Sequence, residues 1–181
     1  MTAPIKPDTP CDIAIIGAGP AGLAAAEVIS SAGRAVHLFD AMPSVGRKFL
    51  LAGKGGLNLT HAEPLERFVT RYGERRAAIE PLLRDFGADA LRAWAAGLGV
   101  ETFVGTSQGV FPADMKAAPL LRAWLQRLRH PAAPGVPVTF HMRHRWRGWS
   151  DDGALSFDTP AGPRRVRARA VLLALGGGSW A

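Results

Sequence analysis

The stretch DIAIIGAGPAGLAAAEVISSAGRAVHLFD, Asp12 to Asp40, decides the fold. Ile13 to Ile16 is a short apolar run of the kind a buried parallel strand shows. It breaks at Gly17-Ala18-Gly19-Pro20-Ala21-Gly22, a G-x-G-x-x-G, and passes directly into an alanine-rich segment of helical character. That segment stops at Gly33, placed as a C′ glycine. A second apolar strand, Ala35 to Phe39, then ends on Asp40. In this arrangement Gly17 permits a tight turn, Gly19 lets the backbone approach a pyrophosphate with no Cβ in the way, and Gly22 lets helix and strand pack closely. The helix N-terminus offers unpaired N–H groups to the phosphates. Asp40 follows the last glycine by about 20 residues, where an acid meets a ribose hydroxyl.

A lone G-x-G-x-x-G also occurs in glycine-rich turns of unrelated α/β domains. Here the strand before it, the helix after it, and a second strand with a terminal acid all stand at the right distances, so dinucleotide binding is the reading. A carboxylate at Asp40 repels a 2′-phosphate, which disfavours NADP at this site and leaves FAD and NAD open.

The bulk numbers agree with an enzyme-sized globular unit. A chain of 181 residues, 48% hydrophobic and 20% charged, can bury a sizeable core. The expected organisation is a flexible lead-in over residues 1–10 and one domain over 11–181. No apolar run approaches the about 18 to 20 residues that span a membrane, and the N-terminus does not resemble a signal peptide. The single cysteine, Cys11, cannot close an internal disulfide, which suits packing beside the first strand in a reducing, cytoplasmic setting. Formal net charge is +7. Much of the excess lies at Arg143, Arg145, Arg147, Arg164, Arg165, Arg167 and Arg169. That pattern fits either an RNA or anionic-substrate surface or solvated strand faces and edges. No recognised nucleic-acid motif accompanies it, which favours the second.

Beyond Asp40 and the adjoining Ala41, Gly46-Arg47-Lys48 sets two cations where they could neutralise a pyrophosphate. The glycines that follow, Gly53, Gly55 and Gly56, suit backbone lying close to something flat or charged, or a flexible surface loop. Pro64 to Leu98 reads as helical, with Leu91, Trp94, Ala95 and Leu98 on one face, Asp89 as cap and Gly99 as stop. Val100 to Phe103 and Gly109 to Pro112 read as short extended pieces. A helix from about Asp114 to Arg129 would bury Leu120, Leu121, Trp124 and Leu128, with Pro119 tolerated near its first turn. Three strands follow, Val136–Trp149, Ala154–Phe157 and Arg165–Leu175, with Asp151-Asp152-Gly153 as a hairpin turn. His141 and His144, three apart on one strand, should point to opposite faces and make a poor metal pair. No third ligand stands at a sensible spacing and no G-x-S-x-G is present, so metal and serine-hydrolase readings fall.

The G-x-G-x-x-G with Ala26, Gly33, Val36 and the terminal acid resembles flavoproteins with two dinucleotide-binding domains. Val45-Gly46-Arg47-Lys48 with AGKGGLNLTH, and GVFPADMKAAPLLRAWLQRL further on, resemble the BaiN-like NAD(P)/FAD-dependent oxidoreductases, the aminoacetone oxidase family, a bacterial-type group. Lys54 stands where many members carry glycine, and Asp40 where FAD enzymes more often carry glutamate. The resemblance implies a Rossmann-like three-layer α/β fold, with a central parallel sheet and a small antiparallel hairpin or meander layer. It implies FAD as cofactor, held by the Gly17–Gly22 turn, Asp40–Ala41, Gly46-Arg47-Lys48, Gly53 and Asn58. It also implies that Ala174-Leu175-Gly176 returns beside the first strand to touch the dinucleotide, and that Lys116 could reach flavin or substrate. Flavin-dependent reduction or dehydrogenation of a small molecule, with NAD(P)H as a candidate electron donor, is the activity it implies. The family continues into a substrate domain and a later return to the FAD domain, so this chain is expected to be the N-terminal portion, incomplete at the C-terminus. An NAD-dependent dehydrogenase, an RNA-binding module or RNA-directed flavoenzyme, and a fragment inactive by itself are the alternatives. No catalytic acid or base can be named in this stretch.

Overall fold

A computed structural model describes residues 9–177. Most of the expected lead-in, residues 1–8, and the end of the glycine-rich tail, residues 178–181, lie outside the described residues. In chain order the elements are β1 (Thr9–Ile16), α1 (Pro20–Ser31), β2 (Val36–Phe39), α2 (Arg47–Ala52), β3 (Thr60–His61), α3 (Leu65–Phe68), α4 (Arg76–Asp85) and α5 (Ala88–Gly97). There follow β4 (Thr102–Val104), β5 (Gly109–Pro112), α6 (Ala117–Arg129), β6 (Thr139–His141), β7 (Arg145–Trp149), β8 (Leu155–Thr159) and β9 (Gly162–Leu173). They fall into two compact units, one from the residues up to Phe49 with those from Leu125 onward, the other from Leu50–Trp124.

The first unit is built on a six-stranded sheet of order β6-β2-β1-β9-β8-β7. β1 runs parallel to both β2 and β9, and β2 parallel to β6. β8 is antiparallel to β9 and β7. At 12 residues β9 is long enough to serve both patterns. It carries β1 along one edge, from Thr9↔Val166 to Ile16↔Leu173, and β8 along the other, from Leu155↔Val166 to Thr159↔Gly162. The apolar runs of β1 and β2 are the reason they sit centrally. Ala14, Ile15, Ile16, Val36, Leu38 and Phe39 are all buried, and α1 covers the sheet with Leu23 and Ala26. Each of the valine, leucine, isoleucine and phenylalanine side chains among them contributes about 1.5–3 kcal/mol when fully buried. A compact cluster of Cys11, Ala14, Ile16, Phe39, Leu155, Phe157 and Val166 joins the parallel and antiparallel strands, with Phe39 stacked on Phe157 at 4.6 Å. Burial pushes the Cys11 thiol pKa up, consistent with packing rather than chemistry.

The second unit carries a three-stranded antiparallel sheet of order β3-β5-β4, with α3, α4 and α5 beside it in sequence. The helical pattern expected over Pro64–Leu98 is interrupted twice. Gly73 adopts φ 49 and ψ −125, which no helix contains, and Gly87 is extended at the start of α5. Gly87 rather than Asp89 is therefore the cap residue, with Asp89 inside the first turn, where its charge suits the helix dipole. Trp94 is half-buried and meets Trp124 edge-on at 4.8 Å. Leu120, Leu121, Trp124 and Leu128 of α6 are all buried as expected. The helix begins at Ala117, so Pro119 falls in its first turn, where a missing N–H costs nothing.

The expected strand Val136–Trp149 is two strands. A tight turn at Met142–His144, with Arg143 at φ 58, separates β6 from β7. Among the described residues no helix is long and apolar enough to cross a membrane.

Candidate functional site

The first unit's parallel strands end together on one edge, and their carboxyl ends make the site. Gly17 donates its N–H to Phe39 O at 2.8 Å, and Ala174 donates to Ile16 O at 2.8 Å. These bonds draw the ends of β1, β2 and β9 together. Gly17 holds φ +113, and a Cβ on it would lie 2.2 Å from the Ala174 carbonyl oxygen. A Cβ on Gly22 would lie 1.9 Å from the Gly17 oxygen. Both positions accept only glycine because backbone already fills the space a side chain needs. Gly19 differs, since a Cβ there would meet nothing within 4 Å. Its backbone is bare toward open space.

α1 starts at Pro20 with Gly19 as its cap residue and no side-chain cap. The Leu23 N–H bonds back to Gly19 O, so the N–H groups of Ala21 and Gly22 in the first turn have no intrahelical acceptor. No acidic side chain sits in that turn to satisfy the dipole. A helix start of this kind favours a negative charge.

Asp40 is fixed on every side. Its N–H donates to His141 O at 3.0 Å and its carbonyl accepts from His144 N–H at 2.8 Å. Its carboxylate accepts from Ala18 N–H and from Met42 N–H, both at 2.7 Å. Each carboxylate oxygen keeps a further lone pair for a ligand hydroxyl. The loop after Asp40 folds back, with Gly46 N–H donating to Ala18 O at 2.9 Å, and this brings Arg47 and Lys48 to the same edge. The Lys48 ammonium lies 3.7 Å from the position of a Cβ on Gly176.

The result is a cleft of about 260 Å³. Of the residues singled out from sequence, Gly17, Ala18, Gly19, Pro20, Ala21, Asp40, Gly46, Arg47, Lys48, Ala174, Leu175 and Gly176 line it. Gly22 packs under the turn, and Ala41 links Asp40 to the returning loop. Gly53 and Asn58 belong to the second unit. There a Cβ on Gly53 would lie 2.5 Å from Ala117 Cβ, and the Asn58 amide lies 2.7 Å from the position of a Cβ on Gly109. Lys116 is exposed at the start of α6. Met42 and Ser44 also line the cleft. Nothing in their type marks them; only the folding back of the loop puts them there.

Beside Asp40, the turn at Met142–His144 overturns the expectation for the two histidines. His141 and His144 share one side, with ring centroids 5.4 Å apart. Arg164 Nη1 approaches both, at 3.1 Å from His144 Nε2 and 3.5 Å from His141 Nδ1, and His37 Nδ1 lies 3.0 Å from His141 Nε2. Burial first, then the Arg164 charge, lowers the His141 pKa to about 4 and lowers that of His37. Burial and the Arg164 guanidinium together favour the neutral imidazoles of His141 and His37. Among the described residues no group of three or more His, Cys, Asp or Glu is arranged to hold a metal.

The basic strands are largely matched by acids. Arg147 pairs with Asp158 at 3.3 Å, Arg169 with Asp12 at 3.5 Å, and Arg165 and Arg167 both with Asp152. The Ser150 hydroxyl, then Arg165, holds the Asp152 carboxyl well below the usual carboxylate range.

The model of the HI0933-like protein Rossmann domain family matches residues 11–181. No curated protein matches the chain. Solved structures share its fold. An open conformation of a flavocytochrome c3 fumarate reductase superposes with a TM-score of 0.70 at 18% identity, covering 95% of this chain and 34% of that one. The FrdA chain of an E. coli quinol fumarate reductase gives 0.66 at 18% identity, covering 94% and 33%. A 3-ketosteroid-Δ4-(5α)-dehydrogenase from Rhodococcus jostii RHA1 gives 0.61 at 18% identity, covering 94% and 46%. The chain thus spans between a third and a half of the length of these structures.

Proposed function

The chain belongs to the HI0933-like Rossmann domain family, and from that premise we propose that it is the FAD-binding part of a flavin-dependent oxidoreductase. One observation carries the reading: the open backbone of Gly19 and the first turn of α1 at Pro20 and Ala21 line the same cleft as Arg47, Lys48 and the anchored Asp40 carboxylate. In this reading the helix N-terminus and the two cations hold the pyrophosphate, and Asp40 accepts hydrogen bonds from the adenosine ribose. Ala174, Leu175 and Gly176 bound the cleft on the β9 side. FAD, when bound, supplies hydride transfer to or from a small-molecule substrate. The chain's own residues bind and orient; none of them is assigned as an acid or base.

NAD would use the same turn. The G-A-G-P-A-G form, the following Gly46-Arg47-Lys48 and the ALGGG sequence after β9 favour FAD, and the resemblance to BaiN-like oxidoreductases supports NAD(P)H as an electron donor rather than the resident dinucleotide. The lone buried thiol of Cys11 suits a cytoplasmic protein.

The test is the visible absorption spectrum of the purified chain, followed by separate titrations with FAD and NADH. Flavin bands, or saturable FAD binding that Gly19→Val abolishes, support the assignment. A folded chain that takes up NADH and not FAD overturns it.

A further inference from the structure

The second unit contains a cleft of about 470 Å³, lined at one side by Asn58, a residue that the resemblance gives to FAD, and otherwise by residues that no cofactor reading uses. Its size falls within the about 300–1,000 Å³ typical of small-molecule sites. Phe68, Tyr72 and Phe86 form apolar walls, and Thr60, His61 and Arg71 supply polar groups. The His61 ring stacks on Phe68 at 6.3 Å, and Phe68 meets Tyr72 edge-on at 5.8 Å.

Glu63 organises the polar side. Its side chain is only 5% exposed, and its carboxylate pairs with Arg71, with Arg67 at 3.5 Å, and faces His61 Nδ1 at 3.4 Å. The Glu63 N–H also donates to His61 Nδ1 at 3.4 Å. That nitrogen is therefore engaged in either protonation state: it accepts from the N–H when neutral and donates to the carboxylate when protonated. His61 Nε2 is left for another partner, and no hydrogen-bond partner for it, for Thr60 Oγ1 or for Tyr72 Oη occurs among the described residues. Two guanidinium groups against one carboxylate leave the cluster with an excess positive charge. Three unpartnered polar groups, a cationic rim and stacked aromatic walls fit one ligand chemistry.

We propose that this cleft binds a small planar aromatic carboxylate, its ring against Phe68 and Phe86 and its carboxylate on His61 and Arg71. The lining residues all lie in Leu50–Trp124, and competition between benzoate and FAD tells this site from a cofactor site that includes Asn58.

Benzoate is the probe, titrated into the full chain by calorimetry and followed in backbone and imidazole NMR spectra. Saturable millimolar binding that shifts His61 and Tyr72 resonances is expected. Arg71→Gln should weaken it about tenfold, the loss of one charge-assisted hydrogen bond, with amide spectra otherwise unchanged. His61→Gln, with a side chain that can still donate, should weaken it less. Neutral benzyl alcohol should bind more weakly than benzoate to the parent chain and equally to the parent and Arg71→Gln chains. Gly19→Val should leave benzoate binding intact. Absence of saturable binding to the folded chain, equal affinity for Arg71→Gln, or displacement of benzoate by FAD overturns the proposal.

Discussion

Gly17 and Gly19 are two residues apart in one motif, yet alanine should harm them in different ways. At Gly17 a Cβ would stand 2.2 Å from the Ala174 oxygen and 2.8 Å from its carbonyl carbon, and the backbone holds φ +113. Neither atom can retreat freely. Ala174 is tied to Ile16 and Gly17 to Phe39 by 2.8 Å hydrogen bonds, so relief means prising the strand ends apart. The backbone conformation costs an alanine about 1–3 kcal/mol, and forcing a methyl into filled space costs about another 1–3 kcal/mol. For a chain of this size a loss near 4 kcal/mol lowers the thermal midpoint by about 10 °C. Gly19 sits at φ −82 and ψ −176, open to any residue, with nothing within 4 Å of a Cβ. Gly19→Ala should move stability by no more than about 0.5 kcal/mol. Urea and thermal unfolding followed by circular dichroism, on both variants side by side, decide the matter. Equal losses in the two variants, or a Gly17→Ala chain as stable as its parent, would refute the claim that backbone crowding is why glycine occupies Gly17.

Two further outcomes follow from the same edge of the sheet. Asp40→Asn leaves one oxygen to serve the Ala18 and Met42 N–H groups, so one loses its acceptor, at a cost of about 1–3 kcal/mol of stability read from urea unfolding, together with weaker FAD binding. His141 should make the fold acid-sensitive. The unfolded chain takes up a proton near pH 6.5 that folded His141, lowered to about 4, declines. Stability is therefore full above about pH 6.5 and falls as pH drops toward 4, with His37 acting in the same direction. Urea midpoints at neutral and mildly acidic pH should diverge in the parent and converge in His141→Phe, which keeps the stack on Phe39 seen at 4.5 Å.

The β1–α1–β2 core was legible because each of its constraints is local. An apolar run, a glycine-marked turn, an alanine-rich helix and an acid at a fixed distance are all read within 29 residues of sequence, Asp12 to Asp40. The return of β9 was legible through resemblance, and the geometry supplies its reason, since Gly17 and Gly22 must be bare for Ala174 to close against them. Periodicity served less well wherever one residue's backbone overrode its neighbours. Gly73 and Gly87 cut a continuous helical pattern, and Arg143 at φ 58 split an apparent strand. That one turn reversed the reading of His141 and His144, because alternation across a pleat holds only while the strand continues.

What sequence could not reach are groups whose meaning depends on a partner far along the chain. The arginines of β9 fitted either an anionic-ligand surface or solvated strand faces, and only the fold sets Asp152 against Arg165 and Arg167 and Asp12 against Arg169. Arg164 gained its role only when the sheet placed it between two imidazoles. Asp40 shows both sides of the matter. Its type and spacing suit the ribose partner proposed for it, whereas the two backbone N–H groups on its carboxylate show another duty, holding the glycine turn and the returning loop in register. If Asp40 also takes the proposed ribose contact, cofactor binding is coupled to the stability of the strand ends, and FAD should protect the fold most where Asp40 does, at the junction of β1, β2 and the loop to Arg47.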